Sequence, residues 1–235
     1  MSALLVTGTI KPSCNVKHSD PEIRLVEYVN NLKRYILETN FDSIVFAENS
    51  GWSFDERQLV ELAEKHHKRF EFLSTHNNNE NNMSVGDAGI MKEVLLRSEV
   101  LAREDSVWKV SGRVFVRNAD RILQKTNRNK NYLGKNIFLY SPTYHAIETW
   151  FFRANIKELQ SIFLSDLSIM QMEDSCIEYI WMKMWSENKN RIPVMPFVEY
   201  PYAEGIRSSG KPYTISRTKF ALKNLLLKTG YYTVK

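Results

Sequence analysis

Two cations stand where a folded chain seldom places them. Residues 107–116 read Val-Trp-Lys-Val-Ser-Gly-Arg-Val-Phe-Val, so Lys109 and Arg113 interrupt two apolar runs that are themselves divided by Ser111 and Gly112. Strands buried on both faces are almost continuously apolar, and a charge inside one calls for an acidic partner or a ligand. Gly112 has no side chain, which lets a ligand or another backbone come close. Two cations beside a glycine at the end of a central strand suit a ligand that carries phosphates. The competing reading is an ion pair with a buried carboxylate.

Other residues could join such a site or build the fold around it. Glu48 and Asn49 follow an apolar run and open a polar turn, Glu-Asn-Ser-Gly. An acid there could accept hydrogen bonds from a ribose or a base, whereas Asn-Ser-Gly is also turn chemistry in its own right. Asp87 could cap a helix or touch a ligand. Glu173 and Asp174 precede an apolar helical stretch, where acids are favoured electrostatically. Trp150, Phe151 and Phe152 form a run more typical of core than of a sugar platform, with Trp150 the better choice for a platform. No histidine spacing suggests zinc, and no Gly-x-Ser-x-Gly or Cys/His pairing suggests a nucleophile.

The elements that must position these residues follow from periodicity. Residues 4–6 read as a first strand, and Asp20-Pro21 opens a helix that runs to about Glu38 with apolar residues at helical spacing. Strands are expected at residues 43–47 and 70–73, with a helix at 55–68 between them. This β-α-β-α-β order predicts a parallel sheet with helices on its faces. A polar loop is expected at 76–82 and a helix opening at Gly86-Asp87-Ala88-Gly89 and ending near Ala102. After the strand at 107–110, the pattern predicts a short helix at 118–123, a basic turn at 125–130, and a strand at 137–140. An apolar run at 149–152 leads into a helix through Leu164. A second helix spans 174–185, and an edge strand holding Pro193 and Pro196 lies at 192–197.

Length and charge narrow the class. The 235 residues suffice for one large domain with a substantial core. Cys14 and Cys176 lie far apart, and a reducing, cytoplasmic setting is the simpler expectation. The first residues lack the basic and apolar regions of a signal peptide, and no apolar stretch is long enough to span a bilayer. The net charge of +5 is concentrated at the end, because residues 207–235 hold basic residues at 207, 211, 217, 219, 223, 228 and 235 and no acid. A basic tail allows nucleic-acid binding, but a neutral body with no recognition motif places it a distant third and points to partners other than nucleic acid.

In order, Leu5-Val-Thr-Gly-Thr9, Phe46-Ala-Glu-Asn49, Gly86-Asp-Ala-Gly89, Lys109-Val-Ser-Gly-Arg113, Glu148-Thr-Trp-Phe-Phe152 and Glu173-Asp174 resemble the landmarks of a GT-A-type bacterial glycosyltransferase of capsule or O-antigen polysaccharide synthesis. The resemblance covers about residues 3–200 and rests on the order of these pieces. It implies an α/β, Rossmann-like GT-A fold, with a mostly parallel central sheet flanked by helices; the basic C-terminal amphipathic helix is read from the tail's own residues. The implied layout is one domain over 1–206, divided into a nucleotide-sugar half (1–117) and an acceptor half (118–206), with a tail at 207–235. The donor, a UDP-sugar first, would meet Thr7, Gly8, Thr9, Glu48, Asn49, Asp87, Lys109, Ser111, Gly112 and Arg113. The acceptor, a glycan or a lipid-linked glycan, would meet Trp150 and Phe151. Asp174 would act as the base of an inverting transfer, with Glu173 as an orienting neighbour. The family usually carries Asp-x-Asp where this chain has Ser111-Gly112-Arg113, so the sequence names no ligand for Mg or Mn. Cations could neutralise the diphosphate directly. The same departure leaves room for a non-catalytic nucleotide- or glycan-binding partner of a membrane-associated assembly.

The tail completes the expectation. Ser216 and Gly230 are suited to start and stop a helix, with Phe220 and four leucines on one side and Lys219, Lys223 and Lys228 gathered towards the other. Such a helix suits an anionic membrane surface, which would make the protein peripheral on the inner face of the cytoplasmic membrane; the competing reading is an ordinary helix that packs its leucines on the body while its lysines face water.

Overall fold

A computed structural model describes residues 2–13, 16–76, 83–137, 145–169, 176–206 and 210–232. The order of elements is β1 (Ala3–Gly8), α1 (Pro21–Glu38), β2 (Ser43–Glu48), α2 (Arg57–Lys65), β3 (Arg69–Ser74), α3 (Met83–Arg97), β4 (Ser106–Ser111), β5 (Val114–Val116) and α4 (Ala119–Lys125). Then come β6 (Asn131–Ile137), β7 (His145–Asn155), the helix α5 beginning at Ile156–Glu158 and widening over Leu159–Phe163, α6 (Ile177–Asn188), β8 (Val194–Met195), β9 (Ala203–Gly205) and α7 (Arg217–Lys228).

Seven strands form one sheet in the order β3-β2-β1-β4-β7-β6-β8. The first four are mutually parallel. β7 runs antiparallel between β4 and β6, and β8 closes the edge parallel to β6. β5 leaves this sheet directly after Gly112 and pairs with β9 instead. The result is the mixed α/β, Rossmann-like sheet that the alternation of strands and helices predicts.

Alternating side chains divide the interior into two cores. Leu4, Val6, Ile44, Phe46, Trp108 and Val110 pack with α1 residues such as Leu32 and Tyr35. Ala3, Leu5, Val45, Ala47 and Val107 pack with α3 and α6, Trp181 among them. Helix α1 forms where Asp20 accepts the amides of Glu22 and Ile23 at 2.9 and 3.1 Å and Pro21 occupies the first turn. Its buried stripe, Arg24, Tyr28, Leu32, Tyr35 and Ile36, keeps the helical period.

Several expectations shift. α3 starts before Gly86, so both glycines lie inside the helix, and it ends at Arg97, with a separate 3₁₀ turn at Leu101–Arg103. The strand expected at 137–140 is β6, which begins at Asn131; residues 138–144 lie outside the described residues. So do 77–82 of the expected polar loop. The helix expected from Asp174 begins at Ile177. The basic turn at 126–130 is held by Arg153, whose buried guanidinium donates to the carbonyls of Arg128 and Lys130. In the tail, Lys223 turns towards the body instead of joining Lys219 and Lys228. Its Nζ donates to the Tyr200 hydroxyl at 2.6 Å and lies 4.0 Å from the centre of that ring.

Candidate functional site

The carboxyl ends of the parallel strands gather several of the residues expected to meet a donor. Gly8 lies opposite Glu48 in the β1–β2 ladder, and Thr7 opposite Ser111 in the β1–β4 ladder. From β1 the chain steps outward to β2 and β3, then returns to β4 on the other side. Connections therefore diverge between β1 and β4, and in open α/β sheets this is where a crevice forms beyond the strand ends.

On the α1 face, side chains hold backbone. Tyr28 lies across both glycines: a Cβ at Gly8 or Gly112 would come within 2.6 Å of its ring. The close approach that Gly112 permits is thus made by an aromatic side chain of the protein itself. The Tyr28 hydroxyl accepts the Thr9 amide at 3.0 Å, and Arg24 Nε donates to the Thr9 carbonyl at 2.8 Å. Burial lowers the pKa of Arg24. Glu48 is fully buried. Its carboxylate accepts the amides of Ile10, Ser50 and Trp52, each at 2.9 Å, and the Ser50 hydroxyl. It ties the loop after β1 to the turn after β2. Asn49 joins the same seam by accepting from Thr9 Oγ1 at 2.6 Å. Arg113 is buried against α1, with Nη1 at 3.2 Å from Glu27.

On the α3 face, side chains hold side chains. Lys109 is wholly buried, and its Nζ lies 3.1 and 3.3 Å from the two Asp87 oxygens and 2.9 Å from the Thr149 carbonyl. Thr7 Oγ1 reaches Asp87 at 3.4 Å, and Thr149 Oγ1 donates to Glu178 at 3.2 Å. One chain of contacts therefore links β1, α3, β4, β7 and α6. The Lys109 reading resolves as the ion pair. What faces outward is Asp87, whose side chain is 31% exposed. Ser111 is half-buried at the end of β4, opposite Thr7 in the sheet.

The acceptor pair divides. Phe151 is in the core, stacked on Trp108 at 5.2 Å and Phe197 at 5.6 Å, which removes it from any surface. Trp150 is half-buried; its Nε1 donates to Glu148 at 3.0 Å and its ring lies 5.2 Å from Tyr213. Nearby, burial and then the Glu148 charge raise the pKa of Tyr232. The two rings stay 5.8 Å apart, and an irregularity of the ladder falls at this stretch. Tyr132 faces Arg153 and Gly134 faces Glu148, so residues 149–152 of β7 stand opposite Leu133 alone. Such bulges re-aim side chains, and this one delivers the Thr149 carbonyl to Lys109. Glu173 and Asp174 lie outside the described residues.

Sequence reasoning missed Tyr28, Glu27 and Glu178. For Tyr28 a signal was present, since it shares a helical face with Arg24 one turn earlier; Glu27 and Glu178 looked like ordinary helix acids. Among the described residues, no three His, Cys, Asp or Glu side chains meet as a metal site. Asp87, the half-exposed carboxylate at the crevice, is already engaged by Lys109, so these residues do not fit a bound Mg or Mn. A cavity of about 300 Å³ lies away from the crevice at the start of β3, among Lys68, Arg69, Glu71, Glu99 and Arg103.

No family model matches the chain, and no curated protein matches it in sequence. Solved structures are similar in fold. The glycosyltransferase GlyE of Streptococcus pneumoniae TIGR4 is 11% identical with a TM-score of 0.49, over 83% of this chain and 45% of that one. The galactosyltransferase LgtC, in complex with donor and acceptor sugar analogs, is 13% identical with a TM-score of 0.46, over 80% and 65%. A 4-diphosphocytidyl-2C-methyl-D-erythritol synthase of Anaerococcus prevotii DSM 20548 is 12% identical with a TM-score of 0.43, over 97% and 96%. The chain spans less than half the length of GlyE and just under two thirds of LgtC.

Proposed function

We propose that the chain is a glycosyltransferase that moves a sugar from a nucleotide-diphosphate sugar, a UDP-sugar first, to a glycan or lipid-linked acceptor in surface polysaccharide synthesis. The observation that carries this reading is the half-exposed Asp87 carboxylate at the β1–β4 crevice, fixed from behind by buried Lys109 and by Thr7. A carboxylate anchored at a strand switch is suited to accept hydrogen bonds from ribose hydroxyls. Thr9 and Asn49 border the same strand ends. Arg113 would take the diphosphate, with Lys109 as the positioning residue for Asp87. Asp174, with Glu173 beside it, would take the proton from the acceptor hydroxyl as that oxygen attacks C1 and the bond from C1 to the diphosphate breaks, inverting the centre. Trp150 would face the acceptor sugar. On this reading the protein works in the cytoplasm.

A second reading has its own support. Lys109 pairs with Asp87 and Arg113 with Glu27, and Asp-x-Asp is missing. That arrangement suits a nucleotide- or glycan-binding partner without turnover.

One experiment separates the two. The protein is incubated with a panel of nucleotide sugars and candidate acceptors, with and without EDTA, while binding and free nucleotide are both followed. Turnover is expected, with Asp87→Asn weakening donor affinity about 10- to 100-fold, the range for a hydrogen bond to a charged group. Arg113→Ala should depress transfer by a similar factor. Binding without nucleotide release selects the second reading; no binding of any nucleotide sugar or candidate acceptor overturns both.

A further inference from the structure

α7 (Arg217–Lys228) has two faces of different character. Phe220, Lys223, Asn224 and Leu227 turn inward. The Phe220 ring lies 4.7 Å from that of Tyr202, Asn224 accepts the Tyr200 amide at 2.8 Å, and Leu227 is buried. The outward face carries Leu222 and Leu225, 55% and 60% exposed, with exposed Ala221 beside them. Helical periodicity then sets Lys219 along one side of this apolar stripe and Arg217 and Lys228 along the other. All three cations are exposed, and none has an ion-pair partner among the described residues.

We propose that this face docks on an anionic bilayer surface. An exposed leucine alone needs no explanation, but two leucines one turn apart, bordered by cations on both sides, match one chemistry closely. The leucines can enter the headgroup boundary while the long cationic side chains reach the phosphates. A hydrophilic polyanion would use the cations and leave the leucines idle. A second copy of this chain offering the same face would set cation against cation, since residues 207–235 hold no acid. The placement also suits an acceptor carried on lipid. The chain beyond α7 returns to the sheet, where the Lys135 amide donates to the Tyr232 carbonyl at 3.0 Å. Lys135 lies in the half of β6 beyond the bulge, towards the same end of the sheet as Ser111 and Trp150. The inference does not depend on the sugar chemistry, and its test needs no turnover.

The full chain is sedimented with phosphatidylcholine vesicles, and with vesicles in which about a third of the lipid is phosphatidylglycerol, at low and high salt. Binding is expected on the anionic vesicles only, and salt should weaken it. Each cation near the surface is worth about fivefold, so Lys219→Glu with Lys228→Glu should lower partition roughly 25-fold or more. Leu222→Ser with Leu225→Ser should lower it about tenfold. Circular dichroism of both variants should match the parent, because all four side chains are exposed. Three results overturn the proposal. One is no binding to anionic vesicles. Another is binding that the serine pair leaves unchanged, which marks a polyanion site. The third is lipid-free self-association that the serine pair abolishes, which marks a contact between copies.

Discussion

At the carboxyl end of the sheet, the α1 face is built from side chains that bond backbone. Tyr28 and Arg24 take the amide and carbonyl of Thr9, and Glu48 takes three amides from two separate loops. The α3 face is built from side chains that mostly bond each other, through Thr7, Asp87, Lys109, Thr149 and Glu178. The first kind of contact fixes the path of the chain and leaves nothing to offer. The second leaves a carboxylate half in water. Both use charged residues at strand ends, and from sequence they looked alike. What separates them is whether the polar atoms are already spent on backbone.

This contrast can be broken by comparing losses of stability. The largest is expected for Glu48→Ala, which strands the buried Ile10 amide and the part-buried amides of Ser50 and Trp52 at about 1–3 kcal/mol each. Urea unfolding should register a loss of about 4 kcal/mol, and a loss under about 1 kcal/mol would erase the distinction between the faces. Gly112→Ala comes next. Its Cβ would meet the Tyr28 ring at 2.6 Å and the Thr7 carbonyl oxygen at 2.9 Å. Overpacking of this kind costs about 1–3 kcal/mol, which thermal unfolding should report as a lowered Tm. Lys109→Met should cost least, about 1–2 kcal/mol, because Asp87 loses its partner yet keeps contact with water. Adding Asp87→Asn to Lys109→Met should recover part of that loss. If Lys109→Met proved as damaging as Glu48→Ala, the α3 face would also be a folding device, and the proposed donor site would lose its best residue.

How far the sequence could be read depended on the range of the interaction. α1 was legible to the residue, because Asp20, Pro21 and the apolar period are local. The parallel unit was legible because apolar runs alternate with helical patterns. β6 was not, since Asn131, Gly134 and Lys135 do not alternate and the strand depends on β7 and β8 for its partners. The glycines of α3 looked like an opening turn because they are poor helix formers, and packing against β1 and β2 overrides that preference. In the site, the oddness of Lys109 and Gly112 was visible. Their partners were not: Asp87 and Tyr28 are remote in sequence, and no spacing rule joins them. Phe151 was misplaced because an apolar run does not show which of its rings the core takes, and Phe151 pairs with Val110 inside the sheet and stacks on Trp108 and Phe197.

The strand order has a consequence for how the chain is made. Of the strands in this sheet β1 is made before the others, yet it lies inside the finished sheet, between β2 and β4. β2 follows soon after, whereas β4 begins only at Ser106. At roughly 5–20 residues per second, one side of Leu4, Leu5 and Val6 waits several seconds for its neighbour. During that interval the nascent chain carries an open apolar strand edge, the kind that recruits strands from other chains. A fragment ending before Ser106 keeps that edge open for good.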